Sequence, residues 1–143
     1  MAKTNKEWVA IRSRATAAMK LAVADARNLC TLAPGFTKAC FPDKEDVDHR
    51  RWRNEGIEHL MAEADALQEY VDKGFTTQDH KRIYLHVAKL LFWKGRISHI
   101  PSYLNPVLPK VWKENDKVLH AWVDCEMSLA AHLAEIPILE LLE

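Results

Sequence analysis

The stretch WVAIRSRATAAMKLAVADARNL, residues 8–29, decides the fold class. Its apolar residues recur every three or four positions, which is the period of one face of an α-helix. They are Trp8, Ile11, Ala15, Ala18, Ala22, Ala26 and Leu29. Because most of this stripe is alanine, we expect a neighbouring helix to approach it closely. Thr4 and Glu7 fit a capping box that begins the helix, and Pro34-Gly35 predicts its end near Cys30.

A second helical pattern follows a connection that we predict over residues 31–42. It starts at Pro42-Asp43 and runs to about Lys73, with Gly74 as its stop. Gly56 lies inside this pattern and indicates either close packing or a bend, since glycine destabilises a helix interior by about 1 kcal/mol relative to alanine.

The third helical pattern, residues 80–94, has Thr76 or Thr77 as its predicted cap. It carries more apolar residues than one buried stripe requires. The residues that widen its apolar surface are Tyr84, Leu85, Phe92 and Trp93. We therefore expect this helix either to be central or to present part of its surface to a partner.

Three prolines within residues 95–109 predict a loop, and Pro109 fits the first turn of a last helix. Asn115-Asp116 can divide that helix in two. No segment shows the alternation that is typical of a strand. A chain of 143 residues with 48% apolar content can bury a core without a disulfide or a metal. We predict an all-α, single-domain helical bundle of four to six helices over residues 1–143.

The formal net charge is zero, but the charges are unevenly distributed. Residues 1–27 carry a net +4, residues 54–72 a net −6, residues 79–99 a net +4 and residues 118–143 a net −5. This alternation predicts antiparallel helices with complementary charge, or a dipolar surface that docks on a charged partner.

The cysteine count and the hydropathy pattern indicate the cellular compartment. Cys30, Cys40 and Cys125 are an odd count without a paired spacing, which argues against a secreted disulfide framework. The first residues lack the apolar region of a signal peptide, and no run of 18 apolar residues occurs. We predict a cytoplasmic protein that is not inserted in a membrane.

The segment RWRNEGIEHL, residues 51–60, raises the question of a metal site. Glu55, His59 and Glu63 are spaced four residues apart and fall on one helix face. A di-iron bundle requires Glu-x-x-His on two helices, and a zinc protease requires His-Glu-x-x-His. Neither motif is present in the sequence, so we predict no metal and no cofactor.

Residues 53–59, RNEGIEH, resemble the Arg-polar-x4-His motif of the HEPN ribonucleases, a family of small all-helical proteins. The resemblance covers seven residues. It implies that Arg53 stabilises the scissile phosphate and that His59 acts as the acid or base, roles that suit both side chains. A HEPN-like ribonuclease is therefore an alternative function.

A nucleic-acid-binding helical protein is a further alternative. The aromatic residues Tyr84 and Trp93 lie among the basic residues of the third helical segment. These basic residues are His80, Lys81, Arg82, Lys89, Lys94 and Arg96. Basic residues neutralise phosphates and aromatic rings stack on bases. Dedicated nucleic-acid binders are usually strongly basic overall, however, and this chain is neutral. We favour pairing of these bases with the acids of residues 54–72.

The function that we predict is a small, non-enzymatic protein-binding module. An inhibitor or adaptor that docks on a larger protein or a protein–nucleic-acid complex fits, and a phage or mobile-element anti-defence protein is one such class. Exposed tryptophan, tyrosine and arginine are typical of interface hot spots. The predicted contact residues are Arg50, Arg51, Trp52, Arg53, Lys81, Arg82, Lys94, Arg96 and Tyr103. We expect Trp93, Trp122 and Trp112 in the core.

Overall fold

The computed structural model describes residues 2–41 and 47–143, and these residues confirm the all-α class. Within these two ranges there are six α-helices, two short 3₁₀ helices and no strand. The α-helices are α1 (Asn5–Cys40), α2 (Val47–Lys73), α3 (His80–Ser98), α4 (Leu108–Glu114), α5 (Asp116–Glu135) and α6 (Ile138–Leu142). The 3₁₀ helices are Thr77–Asp79 and Ser102–Val107.

Helix α1 ends at Cys40, so the connection predicted over residues 31–42 is wrong for its described part. Pro34 lies inside the helix and removes one backbone hydrogen bond, which costs about 3 kcal/mol. The buried face nevertheless continues past the proline. Phe36 is buried and stacks on Trp122 with the ring centroids 4.4 Å apart. Burial of large side chains on this last part of α1 offsets the loss at Pro34, because each contributes roughly 1.5–3 kcal/mol.

Several predicted helix ends are confirmed. The Glu7 backbone N–H donates to Thr4 Oγ1 at 3.1 Å, which caps α1. Thr76 caps the 3₁₀ helix Thr77–Asp79 that leads into α3, and its backbone N–H donates to Asp79 Oδ2 at 2.9 Å; the N-cap of α3 itself is Asp79 and not Thr76 or Thr77. Gly74 follows α2 with a φ of 77°, a left-handed conformation that glycine adopts without strain and that ends helices.

The second half of the chain is more helical than the sequence predicted. The predicted loop over residues 95–109 contains the end of α3, which extends to Ser98, and one 3₁₀ helix. Pro109 lies in the first turn of α4, and Asn115 separates α4 from α5, both as predicted. The predicted start of α2 at Pro42-Asp43 lies outside the described residues.

Helix α1 is the centre of the packing. It contacts α2 on one side and α5 on the other, and α2 in turn packs against α3. Alanines of the α1 stripe, such as Ala15 and Ala22, are completely buried, as close helix approach requires. Helices α3 and α5 make few contacts with each other. The bundle is therefore open between α3 and α5.

The tryptophans divide between core and surface. Trp122 is 1% exposed, which confirms its predicted core position. Trp93 is half-buried against the core. Trp112 is 43% exposed, so its predicted core position is wrong. This residue lies on α4, a seven-residue helix that makes few contacts with its neighbours.

The three cysteines are all free thiols. Of the helices that the structure describes, none combines the length and the apolar character needed to cross a bilayer.

Gly56 marks close packing of α2 on α3. A Cβ atom at this position would lie 2.9 Å from Ile97 Cγ1 and 3.6 Å from Trp93 Cε3. Ile97 is completely buried, so its side chain has little room to move away. Of the two interpretations of Gly56, close packing is the one that the structure supports.

Gly56→Ala should therefore destabilise the fold, although alanine is the better helix former. We expect a loss of about 1 kcal/mol in the free energy of unfolding, because overpacking costs about 1–3 kcal/mol and the helix propensity returns about 1. Gly95→Ala is the matched control, since a Cβ there meets nothing within 4 Å. The control should gain up to about 1 kcal/mol. Urea unfolding measures both, and equal effects of the two substitutions would contradict the proposed close contact.

Candidate docking surface

Helix α3 has two apolar faces. The inner face is buried and consists of Ile83, Val87, Leu90 and Ile97. The outer face is between 43% and 53% exposed and consists of Tyr84, Leu85, Leu91 and Phe92. A helix at the surface of a globular protein needs only one apolar stripe. The outer face of α3 is therefore a surface that another structural element can cover.

A groove of about 720 Å³ lies between α3, α5 and α6. Helix α3 contributes Tyr84, Val87, Ala88 and Leu91; α5 and the following turn contribute Ala130, Leu133, Ala134, Ile136 and Pro137; α6 contributes Ile138, Leu139 and Glu140. Glu140 is the one charged side chain in this lining. Small alanines on both walls leave the floor accessible. The groove is thus suited to an apolar ligand or side-chain row and poorly suited to a charged substrate.

Ionic and polar contacts close one end of the groove. Lys94 Nζ lies 3.7 Å from Glu126 Oε1, and Ser98 Oγ donates to Glu126 Oε2 at 2.9 Å. These contacts hold the end of α3 against α5.

Helix α6 closes the other end. His80 Nδ1 lies 2.8 Å from the Leu141 carbonyl oxygen, which can only accept, so Nδ1 carries the proton. The His80 ring is 2% exposed and packs on Trp8 with the centroids 5.2 Å apart. Arg14 Nη2 lies 2.6 Å from Glu140 Oε2, which ties α6 to α1 as well.

Exposed apolar side chains also lie on α5 and α6, the helices that form the other walls of the groove. Met127 on α5 is 67% exposed, Leu139 on α6 is 81% exposed and Leu142 is 44% exposed. We define the α3/α5 face as the outer face of α3, the groove, and these three side chains. Contiguous apolar surface of this kind marks interaction sites in soluble proteins.

Three of the predicted contact residues lie together near the start of α2 and the end of α3: Trp52, Arg96 and Tyr103. The Arg96 guanidinium carbon lies 4.0 Å from the Trp52 ring centroid. The His49 ring lies 6.4 Å from Trp52 and 6.1 Å from Tyr103, so it links the two aromatic side chains. We call Trp52, Arg96 and Tyr103 the arginine–aromatic cluster. Arg50 Nε donates to the Phe41 carbonyl at 3.0 Å, and Arg50 lines a pocket beside Pro34 and Lys38 of α1.

Arg53 is buried, which corrects the prediction that it lies on the contact surface. Its side chain is 1% exposed, and the guanidinium carbon lies 4.1 Å from the Phe41 ring centroid. Nη2 donates to the His99 carbonyl, while Nε and Nη1 have no hydrogen-bond acceptor among the described residues. Burial lowers the pKa of Arg53 to about 10.

The remaining predicted contact residues are dispersed. Arg51 is exposed on the solvent side of α2. Lys81 and Arg82 are exposed at the start of α3, about 20 Å along the helix axis from Arg96. Lys94 is half-buried in the ion pair that closes the groove. The structure therefore separates the predicted surface into a cluster at one end of α3 and two bases at the other.

The Glu55, His59 and Glu63 stripe, for which the sequence predicted no metal, is divided by other contacts. Glu63 binds His86 Nδ1 and lies 3.9 Å from Lys89 Nζ, a pairing of the third helix with the acids of residues 54–72. Glu55 lies 4.0 Å from Arg51. The described part of the chain holds no group of three or more histidine, cysteine or acidic side chains arranged for a metal.

The ribonuclease arrangement is not formed within the described chain. Arg53 is buried between α1 and α2, whereas the His59 ring is exposed and stacks on Trp93 at 4.1 Å with an interplanar angle of 3°. The two side chains therefore do not face one site, as the roles that the resemblance to HEPN ribonucleases implies for Arg53 and His59 require.

One polar cluster was missed by the sequence analysis. Asp25 Oδ2 accepts from Ser128 Oγ at 2.9 Å and also binds His132 Nδ1. Because both side chains bind the same carboxylate oxygen, the serine hydroxyl is held by the acid and not by the imidazole. A nucleophile–base pair requires the latter contact. The cluster joins α1 to α5. Its signal in the sequence is Asp25, a single acidic residue beside the alanine stripe of α1.

Comparison with protein-family models, curated proteins and solved structures yields no match to this chain.

Two substitutions of Arg53 separate the stability contributed by the volume of its side chain from that contributed by its buried guanidinium. Arg53→Met keeps an unbranched side chain and removes the buried charge. We expect its free energy of unfolding at pH 7 to stay within about 1 kcal/mol of the wild type or to rise. Arg53→Ala leaves a cavity and should lose about 2–5 kcal/mol. Urea unfolding measures both variants. If Arg53→Met loses as much free energy of unfolding as Arg53→Ala, the hydrogen bond of the guanidinium to the His99 carbonyl stabilises the fold, and the expectation is contradicted.

His80 predicts a pH dependence of stability. Burial lowers the pKa of this imidazole from its usual 6.5, and the hydrogen bond to Leu141 opposes that shift only in part. The unfolded chain therefore takes up a proton near pH 6.5, while the folded chain does so only at lower pH. The wild type should lose stability as the pH falls below about 6.5. His80→Asn keeps a donor for the Leu141 carbonyl without a titratable group.

The measurement is urea unfolding of the wild type and His80→Asn at neutral and at mildly acidic pH. The free energy of unfolding of the wild type should decrease relative to that of His80→Asn as the pH falls below about 6.5. A pH-independent difference between the two proteins would contradict the proposed buried, neutral imidazole.

Proposed function

We propose that this chain is a non-enzymatic protein-binding module that docks through the α3/α5 face. The observation that carries the proposal is the second apolar face of α3, exposed beside an apolar groove. Both ends of that groove are fixed by the Lys94–Glu126 and His80–Leu141 contacts, so the groove is shaped before a partner arrives. A preformed site loses less conformational entropy on binding than one that must be ordered.

The composition of the face matches that of an interface core. Tyr84 and Phe92 supply aromatic rings, and Met127 supplies a flexible apolar side chain, all largely exposed. Aromatic residues and methionine are enriched at interface cores, and charged residues are depleted there. Such side chains become hot spots when a partner removes them from water.

The arginine–aromatic cluster continues this face as a polar rim. Phe92 lies 5.3 Å from the Arg96 guanidinium carbon, and Arg96 in turn covers Trp52. The part of the predicted contact surface that forms this cluster therefore adjoins the apolar face through α3. Interface rims are polar and accessible, which suits arginine and tyrosine at these positions.

The titratable clusters favour binding over catalysis. Asp25 with His132 and Glu63 with His86 each bridge two helices. The groove offers one acid, Glu140, and Arg14 already pairs with it. An inhibitor or adaptor, including a phage or mobile-element anti-defence protein, acts by such docking without chemistry. Three free thiols suit the reducing cytoplasm, which we propose as the compartment.

Site-specific photocrosslinking in cells tests the docking face. A photoreactive phenylalanine derivative replaces Leu85 on the outer face of α3, and Leu21 on α1 serves as the matched control. The two leucines are 53% and 47% exposed. We expect a discrete protein adduct from position 85 and none from position 21.

A second substitution shows whether the adduct depends on the groove. Ala88→Glu places a charge on the groove wall, and it should reduce the adduct from position 85 at least about tenfold, because burying an unpaired charge is unfavourable. Circular dichroism verifies that the fold is retained. Equal adducts at both positions, or an adduct that survives Ala88→Glu, would contradict docking through this face.

A further inference from the structure

We propose that the α3/α5 face binds a second copy of this chain across a twofold axis. In that dimer the outer face of each α3 lies in the groove of the other copy. This inference rests on the proposed function and names the partner of the same face. The supporting observations are the shape of the face, its charges and its exposed area.

The shape is self-complementary. The outer stripe of α3 from Tyr84 to Phe92 is an apolar ridge about 12 Å long, and the groove wall from Ala130 to Pro137 is about 10 Å long. The same face thus holds a ridge and a groove of similar length. A twofold axis brings ridge and groove together twice, as isologous interfaces require.

A second copy accounts for more of the face than an isolated helix does. A helix from another protein would fill the groove, but Leu85 and Phe92 are not among the groove-lining residues. They lie on the outward side of α3 and would stay in water. When α3 itself is inserted into a partner's groove, both side chains are buried.

Segments on the two sides of the groove carry opposite net charge, +4 for residues 79–99 and −5 for residues 118–143. Lys94 and Glu126 pair with each other and Glu140 pairs with Arg14, so the charges that a second copy can pair with are those without an ion pair of their own. Lys81, Asp124 and Glu135 are exposed and form no ion pair within the described parts of the chain. The twofold arrangement places α3 of one copy beside α5 of the other, so unlike charges approach twice. A net charge of zero adds no long-range repulsion between copies.

The exposed area is close to what a stable dimer needs. Seven large apolar side chains of the face are between 43% and 81% exposed: Tyr84, Leu85, Leu91, Phe92, Met127, Leu139 and Leu142. At roughly 100 Å² each they approach the about 800 Å² per partner of a standard interface. The flanking bases and acids supply the remainder as a rim.

Sedimentation velocity of the purified chain over a range of concentrations tests the dimer. We expect a reversible monomer–dimer equilibrium for the wild type. Leu91→Glu should raise the dimer dissociation constant at least about thirtyfold, since hot-spot residues contribute that much and the axis applies the change twice. Leu21→Glu is the matched control, with 47% exposure against 44% for Leu91, and should dimerise like the wild type.

Two results would overturn the dimer. A chain that stays monomeric at all concentrations overturns it, and so does a dimer that Leu91→Glu leaves unchanged. The photocrosslinking from position 85 then separates the two proposals. An adduct with a different protein leaves the docking face in place with another occupant, whereas a monomeric chain without any adduct overturns both.

Discussion

Close packing of the alanine stripe on α1 constrains the rest of this structure. Completely buried alanines such as Ala15 and Ala22 let neighbouring helices approach α1 on two sides, and α2 and α5 take those places. Helix α3 then has only α2 as a full neighbour, with Gly56 allowing a close contact between them. The gap between α3 and α5 follows from this order of packing. The Lys94–Glu126 and His80–Leu141 contacts lie near the two ends of this gap, and the apolar groove lies between them.

Several polar side chains in the described part of the chain join helices. Asp25 joins α1 to α5 through Ser128 and His132, and Glu63 joins α2 to α3 through His86. Side chains that already hold such partners are not available as nucleophiles or metal ligands without breaking a contact that stabilises the bundle. What the structure leaves uncommitted is apolar surface on α3, α5 and α6, and burial of apolar surface is the main driving force of protein association.

The local elements could be predicted from sequence because they depend on local chemistry. Gly74 ends α2 through a left-handed backbone, and Pro109 fits the first turn of α4 because its missing N–H is not needed there. Pro34 was misjudged because packing of Phe36 on Trp122, distant in sequence, overrides a local helix breaker. Arg53 was misplaced for a similar reason: its burial against Phe41 depends on how α1 and α2 meet. The surplus apolar surface of α3 was visible in the sequence, but the groove beside it depends on the position of α5.

Hydroxyl-radical footprinting of the purified chain at low and high concentration tests most directly whether the α3/α5 face is covered by a second copy. Met127 and Phe92 report on the face, while Trp112, 43% exposed on α4, is the internal reference. We predict that oxidation of Met127 and Phe92 slows as concentration rises while oxidation of Trp112 does not change. Equal oxidation of all three residues at both concentrations would contradict a dimer formed through this face.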